Sequence, residues 1–311
     1  MDAQDAVDER AAGAMVFLSG DLDRTSLERA VRTGTLQRLR RGAYGRVFTG
    51  EKHVRARIHA RQQMTAINRQ LAGPTWFSHT SAALLHGLPL LHPPVTTHVT
   101  QQHRPSSRAD RSLVRHTRPL RAGDTTVLDN LPVTSLRRTS IDCAITLPPL
   151  EALTVLDGAL AQGLTIEVAT TELRRLHGSS GTARARWCLE RADAHAESAG
   201  ETATRFTLLR HGLHVSQLQI PVRTRRSRYR IDLGWPELKI GIEFDGKIKY
   251  TRMAGSDPAE VIFREKRRQD DLERAGWVII RVTWADLLRP AAFIAEVHRR
   301  LNERSWQAYA V

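Results

Sequence analysis

Residues 229–250, Y-R-I-D-L-G-W-P-E-L-K-I-G-I-E-F-D-G-K-I-K-Y, read as a β-hairpin that carries an acidic cluster. Leu238, Ile240, Ile242 and Phe244 alternate with Lys239, Gly241, Glu243 and Asp245, the period of a strand with one buried face. Glu243 and Asp245 stand two apart, so both carboxylates leave the same face. Asp232 lies on the preceding strand. With the turn centred on Glu237-Leu238, Asp232 falls opposite Glu243 and points the same way. Three carboxylates gathered this closely repel one another, and the usual relief is a hard divalent cation held by oxygen ligands. The competing reading is a solvated edge strand whose charges deter pairing with other chains.

Lysine usage favours the site. The chain holds 47 Lys plus Arg, and only Lys52, Lys239, Lys247, Lys249 and Lys266 are lysines. Four of the five fall between positions 239 and 266. A lysine is a compact charge whose pKa shifts readily, which suits a place beside a scissile phosphate.

Three runs, R-I-D, then I-E-F-D-G-K-I-K-Y, then E-K-R-R-Q-D-D-L-E-R-A-G-W-V-I-I-R-V-T-W, carry a family likeness. Over roughly residues 195–303 the chain resembles the Vsr-like branch of the PD-(D/E)XK nuclease superfamily. The resemblance implies a mixed sheet flanked by helices, with Asp232, Glu243 and Asp245 holding Mg2+ (or Mn2+). It also implies a role for Glu201 in S-A-G-E-T-A-T-R, which stands where the family carries a glutamate in the helix before the core: orienting a water or holding a second metal. The sequence departs from the superfamily's D…E-x-K pattern, since Asp245 stands where the lysine usually sits. Lys249, or Lys247, would then stabilise charge developing on phosphate.

Composition bounds the partners. A chain of 311 residues makes two or three domains, and 41% hydrophobic with 26% charged residues is no signature of disorder. A net charge of +14 and a pI near 10.9 favour a polyanion, either nucleic acid or an anionic membrane surface. The membrane is the weaker choice, because no apolar run approaches the roughly 20 residues that span a bilayer. Part of the arginine excess also fits the nucleotide composition of a genome. The acidic N-terminus M-D-A-Q-D-A-V-D-E-R lacks a signal-peptide core, and the widely spaced Cys143 and Cys188 predict no disulfide, which together favour the cytoplasm. The 13 histidines are scattered; His79 and His86 read as packing or capping groups, and no histidine is given a metal. No P-loop or dinucleotide fingerprint is present, so no nucleotide cofactor is expected.

Outside the acidic hairpin the chain divides into residues 1–50, 51–192 and 193–311. In the first, Asp21-Leu22-Asp23 caps a helix over Thr25–Val31 that Gly34 ends, and T-L-Q-R-L-R-R-G-A-Y-G-R-V follows as a basic hairpin. That layout is a winged helix, with Arg38, Arg40, Arg41 and Arg46 along the wing facing phosphates. In the second, a helix ends before Gly73-Pro74, another is capped near Ser78 or Thr80 and stopped by Gly87, and strands follow at 96–100, 113–116 and 125–128. L-P-V-T-S-L-R-R-T-S-I-D-C-A-I-T then leads into helices through Glu190. R-R-G-A-Y, F-S-H-T-S-A-A-L-L-H-G-L and P-V-T-S-L-R-R-T-S-I-D, over about residues 25–160, resemble AbiEi-type antitoxins, the DNA-binding half of a type IV toxin–antitoxin system. Ser78, Ser81, Arg138 and Asp142 there read as caps and buried polar pairs.

In the last part, a helix over Glu201–His211 and a strand through H-V-S-Q-L-Q-I-P-V precede the basic turn R-T-R-R-S-R. Arg223, Arg225, Arg226, Arg228 and Arg230 stand beside the acidic hairpin, suited to hold a phosphate backbone while the carboxylates hold a metal. A solvated loop that screens the acids is the alternative. Phe263–Ala275 reads as a helix, W-V-I-I-R-V-T as a central strand with Arg281 reaching toward the acids, and Ala285–Asn302 as a helix kinked near Pro290. The expected fold is a multi-domain α/β protein: winged helix, α+β middle domain and nuclease-like mixed sheet. The expected function is Mg-dependent cleavage of DNA. The alternative is a catalytically inactive DNA-binding transcriptional regulator or antitoxin, with a cognate toxin or a second copy of the chain as further partner.

Overall fold

A computed structural model describes residues 3–102, 110, 112–176, 178, 180–246 and 258–309. It is an α/β fold in two compact units, Met1–Ala192 and Asp193–Val311. Lys247 and Lys249 lie outside the described residues. Among the described residues, no helix is long and apolar enough to cross a membrane.

The N-terminal unit opens with α1 (Ala3–Gly13), β1 (Val16–Leu18), α2 (Arg24–Arg32), β2 (Leu36–Arg40), β3 (Ala43–Arg46) and α3 (Lys52–Gln70). Asp23 caps α2 by accepting from the Ser26 amide, and the strands form an antiparallel sheet in the order β1-β3-β2. A bulge between Arg38 and Arg40 lets Leu36 and Leu39, three apart, both turn inward. The unit runs on across residue 50, where the sequence reading divides it, because α3 serves two cores. Its Ala66 packs with Val16, Leu39 and Ala43. Its Ala60, Met64 and Ile67 pack with Phe77, Leu84 and Val99 of the elements that follow.

Those elements are β4 (Trp76–Phe77), α4 (His79–Leu85), β5 (Thr97–Gln101), β6 (Leu113–Thr117), β7 (Thr125–Leu128) and β8 (Leu131–Thr134). They make a mixed sheet in the order β6-β5-β4-β8-β7. The sequence pattern misses β4, too short to show a period, and β8, which reads there as an entry into helix. Asp129 and Asn130, both left-handed, make the two-residue turn that pairs β8 with β7. Four helices complete the unit: α5 (Leu136–Thr146), α6 (Pro149–Ala161), α7 (Ile166–Arg175) and α8 (Thr182–Leu189). Cys143 and Cys188 are buried free thiols in this helical cluster, and Arg138 is buried against Asp142 at 2.9 Å.

The C-terminal unit runs α9 (Ala199–Arg210), β9 (Gln217–Arg223), β10 (Arg228–Trp235), a 3-10 turn at Pro236–Leu238, β11 (Ile240–Phe244), α10 (Pro258–Arg274), β12 (Val278–Val282), α11 (Trp284–Leu288) and α12 (Ala291–Tyr309). Its sheet has the order β12-β11-β10-β9, antiparallel except between β11 and β12, the pair that α10 connects. β12 is therefore an edge strand, not the central one its apolar run predicts. The run reflects burial, Ile280 and Val282 lying in one core and Ile279 against another, rather than position in the sheet. The closing helix is two helices, separated at Arg289-Pro290.

Helix α9 lies close to the sheet through a glycine. A Cβ on Gly200 would stand 2.1 Å from the ring of Phe244, itself packed edge-on against Trp284. Gly200→Ala should therefore destabilise the protein by about 1–3 kcal/mol, as overpacked cores do. Chemical denaturation checks this; an unchanged midpoint would show that α9 shifts freely against the sheet.

Candidate functional site

The β10–β11 register is the one set by the alternation and the proline turn: Leu233 pairs with Ile242, Gly234 with Gly241 and Trp235 with Ile240. One step further, Asp232 falls opposite Glu243. The β9–β10 ladder skips this position, pairing Ile231 with Ile220 and Leu233 with Leu218. Gln219, in the gap, is left-handed at φ 49°, an uncommon conformation for a non-glycine residue inside a strand. Asp232 turns its Oδ2 onto the Phe244 amide at 2.8 Å, binding the end of β11 to β10.

Glu243 faces α10, where Arg268 grips it with both arms of its guanidinium, one bond being Nη1 to Oε2 at 2.9 Å. The pair is largely buried, with 13% of the Glu243 side chain and 23% of Arg268 exposed. The bond to Glu243 is the chief reason Arg268 has its pKa raised above the usual arginine value. Arg281 lies beside Glu243 across the β11–β12 ladder and is ion-paired with Glu265. Asp245 is half-buried just past β11, its amide donating to Val282 O at 2.8 Å.

The three carboxylates do not converge as the sequence predicts. Among the described residues the one group of three ligand-bearing side chains within 4.8 Å of one another is His79, His98 and His116, in the N-terminal unit. The reason is local: Asp232 satisfies an amide and Glu243 satisfies an arginine, so neither is left to face the other.

Glu201 is held more firmly still. Ser198 caps α9 by accepting from the Glu201 amide at 3.1 Å and donates its hydroxyl to Oε1 at 2.8 Å. Oε2 accepts from the Glu197 amide at 3.0 Å and from Gln219 Nε2 at 2.7 Å. Burial, followed by the nearby Asp232 charge, raises the Glu201 carboxyl above its usual range against these donors. An acid raised in the folded state contributes stability that is complete below the ordinary glutamate value of 4.5 and lost as pH climbs through the raised one. Against a Glu201→Gln variant, the wild-type chain should lose stability as pH rises from about 4.5. Urea melts across that range measure it, and a pH-independent difference would refute the shift.

The arginines are exposed. Thr224 and Ser227 close a tight turn with Arg225 and Arg226 at its tip, and Arg228 pairs directly across the ladder with Arg223. Like charges set opposite one another cost stability, and among the described residues none of these four forms an ion pair with a carboxylate. The fifth, Arg230, does: it pairs with Glu197 at 2.6 Å. In the N-terminal unit Arg38, Arg41 and Arg46 are exposed on the β2–β3 hairpin. Arg40 is not: Asp110 takes its Nη2 at 2.5 Å and leaves 17% of the side chain exposed. That pair removes Arg40 from the row of phosphate-facing arginines the alternation predicts.

No family model matches the chain. It is 32% identical over 170 residues to the uncharacterized proteins MT2308 and Rv2248 of Mycobacterium tuberculosis, strains CDC 1551 and H37Rv. The match covers 53% of this chain and spans 59% of the length of each relative. Among solved structures, the crystal structure of the RV2827C protein of Mycobacterium tuberculosis aligns with a TM-score of 0.37 and 16% identity, covering 71% of this chain and 89% of that one.

Arg268, Gln219 and the three histidines are what sequence reasoning misses. Arg268 sits among several basic and acidic residues of α10 with nothing to single it out. Gln219 reads as one more polar position in an alternating strand. The histidines are 19 and 18 residues apart, and only the sheet order unites them.

Proposed function

We propose that the C-terminal unit cleaves phosphodiester bonds in DNA, with Asp232, Glu243 and Asp245 as ligands of Mg2+ (or Mn2+). The observation that carries this reading is the row Asp232, Glu243, Asp245 at the end of the β10–β11 pair, in the same unit as an arginine turn that no carboxylate among the described residues neutralises. The donor set fits a hard cation, since all three groups offer carboxylate oxygens. When bound, such an ion polarises the phosphodiester and makes water a better nucleophile. Glu243 must leave Arg268 to join the site, and Arg268, freed, becomes a fixed positive fork beside the phosphate. Arg268 thus supplies from α10 the charge that the sequence reading assigns to Lys249. Arg223, Arg225, Arg226 and Arg228 hold the backbone through charge alone, without reading sequence. Glu201, fully bonded, holds the α9 terminus and Gln219 in place.

The N-terminal unit's layout, with α2 leading into a basic hairpin, supports a winged-helix role in DNA binding for Arg38, Arg41 and Arg46. The two buried free thiols agree with action in the cytoplasm. The test is nicking of supercoiled plasmid by the full chain with Mg2+ or with Mn2+. Cleavage that disappears on chelation is expected. Binding without cleavage favours the second reading, a DNA-binding regulator or antitoxin-like protein acting with a toxin partner or as a homodimer, whose nuclease-like unit is inert. One observation favours that alternative: the two-armed hold of Arg268 on Glu243.

A further inference from the structure

We infer that His79, His98 and His116 form a site for a zinc-class divalent metal ion, with one coordination position left open. It lies in the N-terminal unit and is independent of the acidic row. His98 and His116 come from the parallel pair β5 and β6, in which His98 pairs with Val114 and Thr100 with His116, so the two imidazoles rise as diagonal neighbours on one face. His79 arrives from the neighbouring strand: β4 ends at Phe77, Ser78 donates its amide to His98 O at 3.0 Å, and His79 opens α4.

Three features make this more than a packing cluster. First, the ring nitrogens lie within 4.8 Å of one another, and His98 Nδ1 stands 3.0 Å from His116 Nε2. Tetrahedral coordination with metal–nitrogen bonds of about 2.0–2.1 Å separates ligand nitrogens by roughly 3.4 Å, close to the spacing present, and His79 and His116 must turn out of their stack for both lone pairs to meet one ion. Second, His79 is left-handed at φ 52°, a conformation that a merely space-filling residue at a helix start has no reason to hold. It stacks on His116 with 3.6 Å between ring centres. Third, two of the outer nitrogens already have partners. Ser78 Oγ meets His79 Nδ1 at 3.0 Å and Thr96 Oγ1 meets His98 Nε2 at 3.4 Å, which leaves His79 Nε2 and His98 Nδ1 to face the ion together with His116 Nε2. His98 Nδ1 and His116 Nε2 share a hydrogen bond, whose proton must move to an outer nitrogen when a metal binds.

His79 is buried and His98 and His116 are half-buried, so the cluster is set back from bulk water. Among the described residues no carboxylate belongs to the cluster. Imidazoles alone do not suit Mg2+ and Ca2+, which need oxygen ligands, and do suit zinc or its transition-metal neighbours. The fourth position is left to water, hydroxide or a small anion. Three protein ligands and one exchangeable site is the pattern of reactive rather than purely structural zinc centres.

The test uses the full chain stripped of metal by chelation. In competition with a chromophoric chelator it should take up one Zn2+ per chain, and excess Mg2+ should not displace it. Co2+ in its place should give the intense visible bands of tetrahedral imidazole coordination. His116→Gln should weaken binding by roughly 100-fold, and Ser78→Ala, which touches only the orientation of His79, by about 10-fold. Wild-type protein that leaves the zinc with the chelator overturns the site. So does a weak octahedral cobalt spectrum, or undiminished uptake by His116→Gln. Should that variant not fold, the cobalt spectrum of the wild type and the Ser78→Ala affinity decide the matter.

Discussion

Asp232→Asn should abolish metal-dependent nicking of plasmid DNA while leaving the protein folded and bound to the same DNA. The asparagine is the sharper choice than alanine because Asp232 has two jobs. Its Oδ2 accepts from the Phe244 amide at 2.8 Å, a bond the amide oxygen of asparagine can keep. What asparagine loses is the charge, and a hard cation depends on that charge. A fall of roughly 1,000-fold in cleavage rate, about 4 kcal/mol of barrier, is expected. Asp232→Ala should lose cleavage as fully but also some stability, since it strands a buried amide. Retention of DNA binding follows from the proposed separation of roles, in which the arginines at 223–228 would hold phosphate without the acids. Cleavage by Asp232→Asn at the wild-type rate would remove Asp232 from the chemistry.

How much of this was legible can be read from individual residues. The register of β10 against β11 is fixed by local rules, an apolar alternation with period two and a proline turn, so the sequence places Asp232 opposite Glu243. The cap on α2, the Gly34 stop and the division of the closing helix at Pro290 are equally local. Where a carboxylate finally points is not local. Arg268 reaches Glu243 across 25 residues, Asp110 reaches Arg40 across 70, and both partners are chosen by how a helix or loop crosses a sheet. Alternation therefore locates Glu243 on a face but cannot say that an arginine already waits there. The histidines show the same limit. Two neighbouring strands and the start of the helix that follows a third bring them together, and nothing in their spacing resembles a metal motif.

The grip of Arg268 on Glu243 lets stability decide between the two functional readings. Arg268→Met keeps the aliphatic stem and removes the guanidinium, leaving Glu243 charged and largely buried with no partner. Arg281, its neighbour across the ladder, is held by Glu265 and does not replace the lost fork. A cost of about 2–3 kcal/mol in metal-free buffer is expected, below the full penalty for a deeply buried pair because both side chains keep some exposure to water. If Glu243 is a metal ligand, the variant has gained an acid free to coordinate. Millimolar Mg2+ or Mn2+ should then restore most of the lost stability by binding the folded state, and should raise the melting temperature of the variant more than that of the wild type. If the unit is inert, the pair is a structural lock, and metal should leave the variant as unstable as before. Thermal melts of both proteins with and without Mn2+ separate these outcomes without reference to any DNA substrate. On the proposed nuclease reading, such a pair would keep Glu243 oriented and the site closed to the cation until a phosphate competes for the guanidinium.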